Sequence, residues 1–254
     1  MIEEKLLDFM VMQNINKIEL KNLFVSDKNN LLLSNINLDF HEGELVGIIG
    51  KSGAGKTTIL KTIISFDNIK SGEISFNGST VKAKKDIKNF RNNISYISQF
   101  PNLVNDISVL DNINRLCEFR TNWFKRIFWN PKTNETKKLI DILRKFGLEN
   151  KIFEKTDKLS GGEKQRLLIA IEFFNDKAII FADEPTSNLD VLNSEKIMKE
   201  FKEVSKNKLI VINIHDLNLA TRFCDKLICL ENGTVKKIIH KEDFSKGNLN
   251  EFFD

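Results

Sequence analysis

Apolar and polar positions alternate over Ile18–Leu23 and again over Ile36–Phe40. A period of two belongs to strands with one buried face, and the two segments predict an antiparallel arrangement. Leu45–Ile49 differs: it is an unbroken apolar run ending at Gly50, the pattern of a strand buried on both faces. The spacing then predicts a helix over Thr58–Ser65, a return strand over Glu73–Phe76 closed by an Asn77-Gly78 turn, and a short strand over Ile94–Ser98. From about Pro101 to Ile171 the period lengthens. Apolar residues recur at helical spacing in Val109–Phe119, Lys137–Phe146 and Glu163–Phe174. Buried-strand runs return at Ala178–Ala182, Leu209–Ile214 and Lys226–Leu230, and Asn232-Gly233 marks the turn of a last hairpin.

Strands alternating with helices predict an α/β fold, a mostly parallel sheet with helices on both faces. A helical subdomain is expected as an insertion at about residues 100–172, within a single domain over 16–254. Residues 1–15 read as an N-terminal extension, with a short amphipathic helix packed on the domain as one reading.

The chain has 254 residues, 41% of them hydrophobic and 29% charged, enough for one large domain with its own core. A formal net charge of +4 is too mild to argue for a nucleic-acid partner, and none is expected. The basic run Lys82–Arg91 reads as a solvated helix or loop face. Cys117, Cys224 and Cys229 follow no metal-ligand spacing and fit buried thiols in a reducing compartment. His41 and His240 match no motif and read as surface residues. No apolar run approaches the roughly 18–20 residues of a membrane span. The start, with acids at Glu3 and Glu4, does not read as a secretory signal.

Gly50-Lys51-Ser52-Gly53-Ala54-Gly55-Lys56-Thr57 matches the G-x-x-x-x-G-K-[ST] phosphate loop. It falls between a predicted buried strand and a predicted helix, where its mechanism needs it. The glycines let the backbone curl so that its N–H groups converge on phosphate oxygens, and the helix N-terminus adds partial positive charge. Lys56 can then reach the β- and γ-phosphates, Thr57 can offer its hydroxyl to Mg2+, and Thr58 can contact a phosphate oxygen. Asp183 and Glu184 follow the run Ala178–Ala182, at the carboxyl end where α/β sheets bind ligands. Asp183 suits Mg2+ and Glu184 suits a general base for an attacking water, while Pro185 stops the strand at once. Alone, an Asp-Glu pair is more often a turn than a site; its position gives it weight.

Leu159-Ser160-Gly161-Gly162-Glu163, followed by Lys164-Gln165-Arg166, resembles the signature motif of the ABC ATPases. The residues agree physically. Two glycines open a helix, and their N–H groups with the Ser160 hydroxyl make a second anion site. The resemblance implies that Ser160–Glu163 faces the γ-phosphate of ATP held by a second copy, with two ATP molecules and Mg2+ in a dimer interface. It further implies that Gln99 is the glutamine loop, which senses Mg2+ and touches a membrane partner. Ser187-Asn188-Leu189-Asp190 would join the two ATP sites, and His215 would be the switch histidine that contacts the γ-phosphate. The family fold is a P-loop NTPase core with an antiparallel β subdomain and an inserted helical subdomain; its activity is ATP hydrolysis. There is one departure. Asp27 stands where the family usually has an aromatic residue that stacks on adenine, so the base would lack that partner.

The stretch Asn102–Gly147, with Ile214-His215-Asp216-Leu217 and Phe223-Cys224-Asp225-Lys226, is similar to ATPases of phosphonate importers and of the mycoplasma high-affinity transport system. The aromatic stretch Trp123–Trp129 is part of that likeness and would be a partner-facing patch. The implied setting is the cytoplasmic face of a membrane. There the subunit would energise separate permease subunits and, through them, an extracytoplasmic solute-binding protein. The implied cargo is phosphonate-like, or another phosphorylated or thiamine-like compound. An exporter ATPase or a non-transport ABC ATPase is the alternative. A DNA-repair relative would need a coiled-coil insertion that 254 residues do not hold.

Overall fold

The computed structural model describes residues 16–28, 30–81, 83–117 and 134–245. The expected N-terminal extension, Phe119 and the aromatic stretch Trp123–Trp129 lie outside the described residues. Strands β1 (Lys17–Asp27) and β2 (Asn30–His41) pair antiparallel, as the alternation predicts. After β3 (Leu45–Ile49), β4 (Ile69–Phe76) and the short β5 (Ser79–Thr80) complete a four-stranded antiparallel sheet in the order β2-β1-β4-β5.

A second sheet takes β6 (Ile94–Ile97), β7 (Ile179–Asp183), β8 (Leu209–Asn213), β9 (Lys226–Glu231) and β10 (Thr234–His240) together with β3, in the order β10-β9-β3-β8-β7-β6. All its neighbours are parallel except β9 and β10, the predicted hairpin. Its inner strands β3, β7, β8 and β9 are buried on both faces, and the side chains divide by parity. Leu45, Ile49, Ile180, Ala182, Ile210 and Ile212 join one core with the helices. Val46, Ile48, Ile179, Phe181, Leu209 and Val211 join the other, with the antiparallel sheet. Truncating a fully buried side chain here, such as Phe181, would cost about 3–5 kcal/mol.

The helices are α1 (Lys56–Ser65), α2 (Lys84–Arg91), α3 (Val109–Leu116), α4 (Asn134–Lys145), α5 (Gly161–Asn175), α6 (Val191–Val204) and α7 (Leu217–Phe223). The segment with helical spacing contributes α3, α4 and α5. Leu167–Ile171 in α5 are all buried, which makes α5 the centre of its layer. From Lys84 the basic run is a helix with exposed lysines, anchored by fully buried Phe90, which stacks on Phe76 at 3.6 Å. All three cysteines are buried. No helix among the described residues is long and apolar enough to cross a membrane.

β1 runs past the predicted Leu23, and β4 begins before the predicted Glu73. The cause is a bulge. Asn22 has φ +48° and Gly72 has φ +87°, and the register shifts between Lys21 and Phe24. A Cβ on Gly72 would stand 2.3 Å from the Asn22 carbonyl oxygen. The extra residue breaks the period of two, which hides the strand's continuation from the pattern.

Candidate functional site

The phosphate-loop residues leave β3 at its carboxyl end and enter α1 at Lys56. Two glycines are sterically required. Gly50 has φ +151°, and a Cβ there would lie 2.2 Å from the Leu230 carbonyl oxygen. Gly55, the N-cap of α1, has φ +103°, and a Cβ would meet Leu33 at 2.9 Å. With glycine at the N-cap, no side chain consumes the first N–H groups of α1. Lys51, Ser52 and Gly53 are exposed along the loop, Ala54 is buried, and Thr57 and Thr58 are half-buried. The buried Lys56 folds back over the loop, and its Nζ donates to the carbonyls of Gly50 at 2.6 Å and Lys51 at 3.1 Å. Desolvation lowers its pKa, opposed by the charges of Glu184 and Asp183.

Those two acids arrive from β7. Asp183 is buried, and its Oδ1 accepts from the Thr57 hydroxyl at 3.0 Å and from Asn213 Nδ2 at 2.7 Å. Its Oδ2 accepts from the Tyr96 hydroxyl at 3.3 Å, and burial together with Asp183 pushes the phenol's pKa up, so it stays a donor. Glu184 sits in left-handed backbone at φ +50°, a costly conformation of the sort that gathers at functional sites. Its carboxylate is held from both sides. Gln99 Nε2 donates to Oε2 at 2.7 Å, and His215 Nε2 stands 2.6 Å from Oε1, so that ring nitrogen carries the proton. A cleft of about 170 Å³ beside them is lined by Glu184, Ser187, Leu189, His215 and Asp216.

One cluster thus brings together the phosphate loop, Gln99, Asp183, Glu184 and His215. Ser160–Glu163 is not in it. Among the described residues, no hydrogen bond joins these four to the phosphate loop of the same chain. Ser160 caps α5: its Oγ accepts from the Glu163 N–H at 3.2 Å, and the Glu163 carboxylate accepts from the Ser160 N–H at 2.8 Å. Lys151 reaches the same carboxylate at 2.9 Å. The Ser160 N–H and Lys151 hold the Glu163 pKa below the usual carboxylate value. A Cβ on Gly161 would meet open space, whereas one on Gly162 would press on the Asn188 carbonyl oxygen at 3.1 Å.

The family model for ABC transporters matches residues 33–187. The chain belongs to the ABC transporter family of ATP-binding proteins. It is a transport ATPase subunit that hydrolyses ATP. The phosphonates import ATP-binding protein PhnC of Fusobacterium nucleatum is 35% identical over 222 residues, covering 86% of this chain and 90% of that protein. The probable ABC transporter ATP-binding protein p29 of Mycoplasma pneumoniae is 34% identical over 203 residues, covering 79% and 83%. A dimeric post-hydrolysis structure of the cassette MJ0796 with ADP and Pi superposes with a TM-score of 0.75 at 30% identity, covering 88% of this chain and 98% of that one. Asp27, expected at an adenine-stacking position, is exposed at the end of β1 opposite Asn30.

Two residues of the cluster escape sequence reasoning: Asn213 and Tyr96. The strand-end position of Asn213, polar after an aliphatic run and two residues before His215, was the available signal.

Proposed function

We propose that this ABC ATPase is the energising subunit of an importer, working as a dimer that holds two ATP molecules between its copies. The observation that carries the reading is the Glu184 carboxylate, held by Gln99 and His215 beside an Asp183 already bonded to Thr57 of the phosphate loop. In this reading the loop N–H groups, Lys56 and Thr58 take the β- and γ-phosphates of ATP. Ser160–Gly162 of a second copy takes the γ-phosphate from the other side; the dimeric MJ0796 cassette supports this. The Glu163 carboxylate then serves the helix cap that aims those groups.

Mg2+ fits the oxygen donors Thr57, Asp183 and Gln99, which are the ligands a hard cation prefers. Asn213 Oδ1, buried without a hydrogen-bond partner, also suits a hydrated cation nearby. When bound, the ion supplies charge neutralisation across the β- and γ-phosphate oxygens. A water attacks the γ-phosphorus in line, the bond to the ADP oxygen breaks, and Glu184 takes the water's proton. Each Glu184 oxygen accepts one of these bonds and keeps a second lone pair for that water, so Gln99 and His215 orient the carboxylate without blocking it. This ties turnover to the position of Gln99, on the loop assigned to the membrane partner.

Residues 16–254 are read as one domain, its helical segment at about 100–172, standing at the cytoplasmic face of the membrane with permease subunits. The likeness to PhnC supports import of a phosphonate-like or other phosphorylated or thiamine-like solute. Glu184→Gln tests the catalytic reading: turnover should fall roughly a hundredfold or more, with ATP binding kept and dimers accumulating. Retained turnover would remove Glu184 as the base. Purification of the tagged chain from membranes tests the transport reading. A permease together with a solute-binding protein supports import; a permease alone sinks it.

A further inference from the structure

Strand β8 is aliphatic until its last residue. Leu209, Ile210, Val211 and Ile212 are fully buried, and so is Asn213. A carboxamide in such a place costs free energy unless it is hydrogen-bonded, so Asn213 must be answered by a partner. Its partners are the two acids. Its Nδ2 donates to Asp183 Oδ1 at 2.7 Å, and its backbone carbonyl accepts the Glu184 N–H at 3.1 Å. The parallel register sets this up by placing Asp183 opposite Asn213 across the β7–β8 pair.

The carboxamide has one usable orientation. Reversed, its oxygen would face the carboxylate oxygen, acceptor to acceptor. In the orientation found, Asp183 Oδ1 carries two donors, Asn213 and Thr57. Among the described residues, Oδ2 has only the longer contact to Tyr96, at 3.3 Å. The two carboxylate oxygens are therefore unequal, and Oδ2 is the one free to turn to a cation.

We propose that Asn213 is a positioning residue for ATP hydrolysis, whose side-chain amide orients the Asp183 carboxylate toward Mg2+ while its backbone carbonyl fixes the neighbouring Glu184. A leucine of the same shape would fill the space but leave Asp183 Oδ1 with the Thr57 hydroxyl alone. The inference rests on the reading of Asp183 as a Mg2+ holder.

The test is a Mg2+ titration of the purified full chain with two readouts, turnover and binding of a fluorescent ATP analogue. Partners that orient metal ligands are commonly worth ten- to a hundredfold in metal affinity, so Asn213→Leu should raise the half-saturating Mg2+ about tenfold in both readouts. Analogue binding without Mg2+ should be unchanged. A purely structural role would lower the melting temperature and leave the Mg2+ midpoint in place. A midpoint within about twofold of wild type therefore overturns the assignment, whatever happens to turnover. Should Asn213→Leu fail to fold, Asn213→Ser carries the same expectation and the same overturning result. Wild type that ignores Mg2+ in both readouts would overturn the Asp183 reading and this assignment with it. A normal wild-type response with an unshifted variant overturns the assignment alone.

Discussion

The two anion-facing regions of this chain are built in opposite ways. The phosphate loop and its acids are tied together across the ends of parallel strands: Thr57 to Asp183, Asp183 to Asn213 and Tyr96, Glu184 to Gln99 and His215. The signature segment is tied mainly to itself. Ser160 and Glu163 satisfy each other in a capping box, Lys151 steadies the carboxylate, and Gly161 faces open space. The first region is tied together inside one chain, across several elements. The second is a capped helix end with open space at Gly161, the end proposed above to meet a second copy. The difference teaches where rigidity is built in: the first region fixes its mutual geometry by side-chain bonds between distant elements, whereas the second is simply presented at a helix end.

The strongest way to break this comparison is Gly50→Ala. Its Cβ would stand 2.2 Å from the Leu230 carbonyl oxygen, so backbone must move. The expected cost is about 3 kcal/mol, or roughly 6–12 °C in melting temperature, together with loss of ATP binding. A variant that melts with wild type would mean that this turn is not under the constraint described. Ser160→Ala sharpens the other side. It should remove a cap worth about 1 kcal/mol and lower turnover by roughly a hundredfold, while ATP binding to the single chain stays as it was. Weakened binding by the isolated chain would contradict the separation of the two regions.

The smallest effect is expected from Glu163→Gln, which keeps the capping box but drops the charge. The folded-state pKa of Glu163 is lowered, so its contribution is present above the unfolded carboxylate value and is lost as pH falls through the folded value. The variant should therefore be slightly less stable than wild type near neutrality and approach it only as pH falls through the lowered Glu163 value. Thermal melts across that range would show the gap opening as pH rises; a gap that opened toward acid would reverse the assignment.

Much of the first region was legible in the chain because its determinants are local. Gly50 and Gly55 are required by a turn that begins where a buried run ends, and Asp183-Glu184 lie at another such end. The links that make the cluster rigid are not local. Gln99 and Glu184 are 85 residues apart in sequence, and Tyr96 and Asp183 are 87 apart. Asn213 is separated from Asp183 by 30 residues and meets it only through β7–β8 register. Helices α6 and α7 were not singled out by spacing. Exposed Val191 and Leu192 blur the apolar stripe of α6, and α7 is only seven residues long.

By itself, the sequence determined the strand-loop-helix that cradles phosphate, the acids at a strand end and the glycine-led helix of the signature. Each of these depends on residues within a few positions of one another, where steric limits on φ and the two periodicities act. The tertiary structure alone decided that Glu184 is shared by Gln99 and His215 and that Asp183 has unequal oxygens. It also decided that, among the described residues, the signature segment shares no hydrogen bond with the phosphate loop of its own chain. Strand order and register bring distant residues within hydrogen-bonding range, and neither is written in any one stretch of the chain.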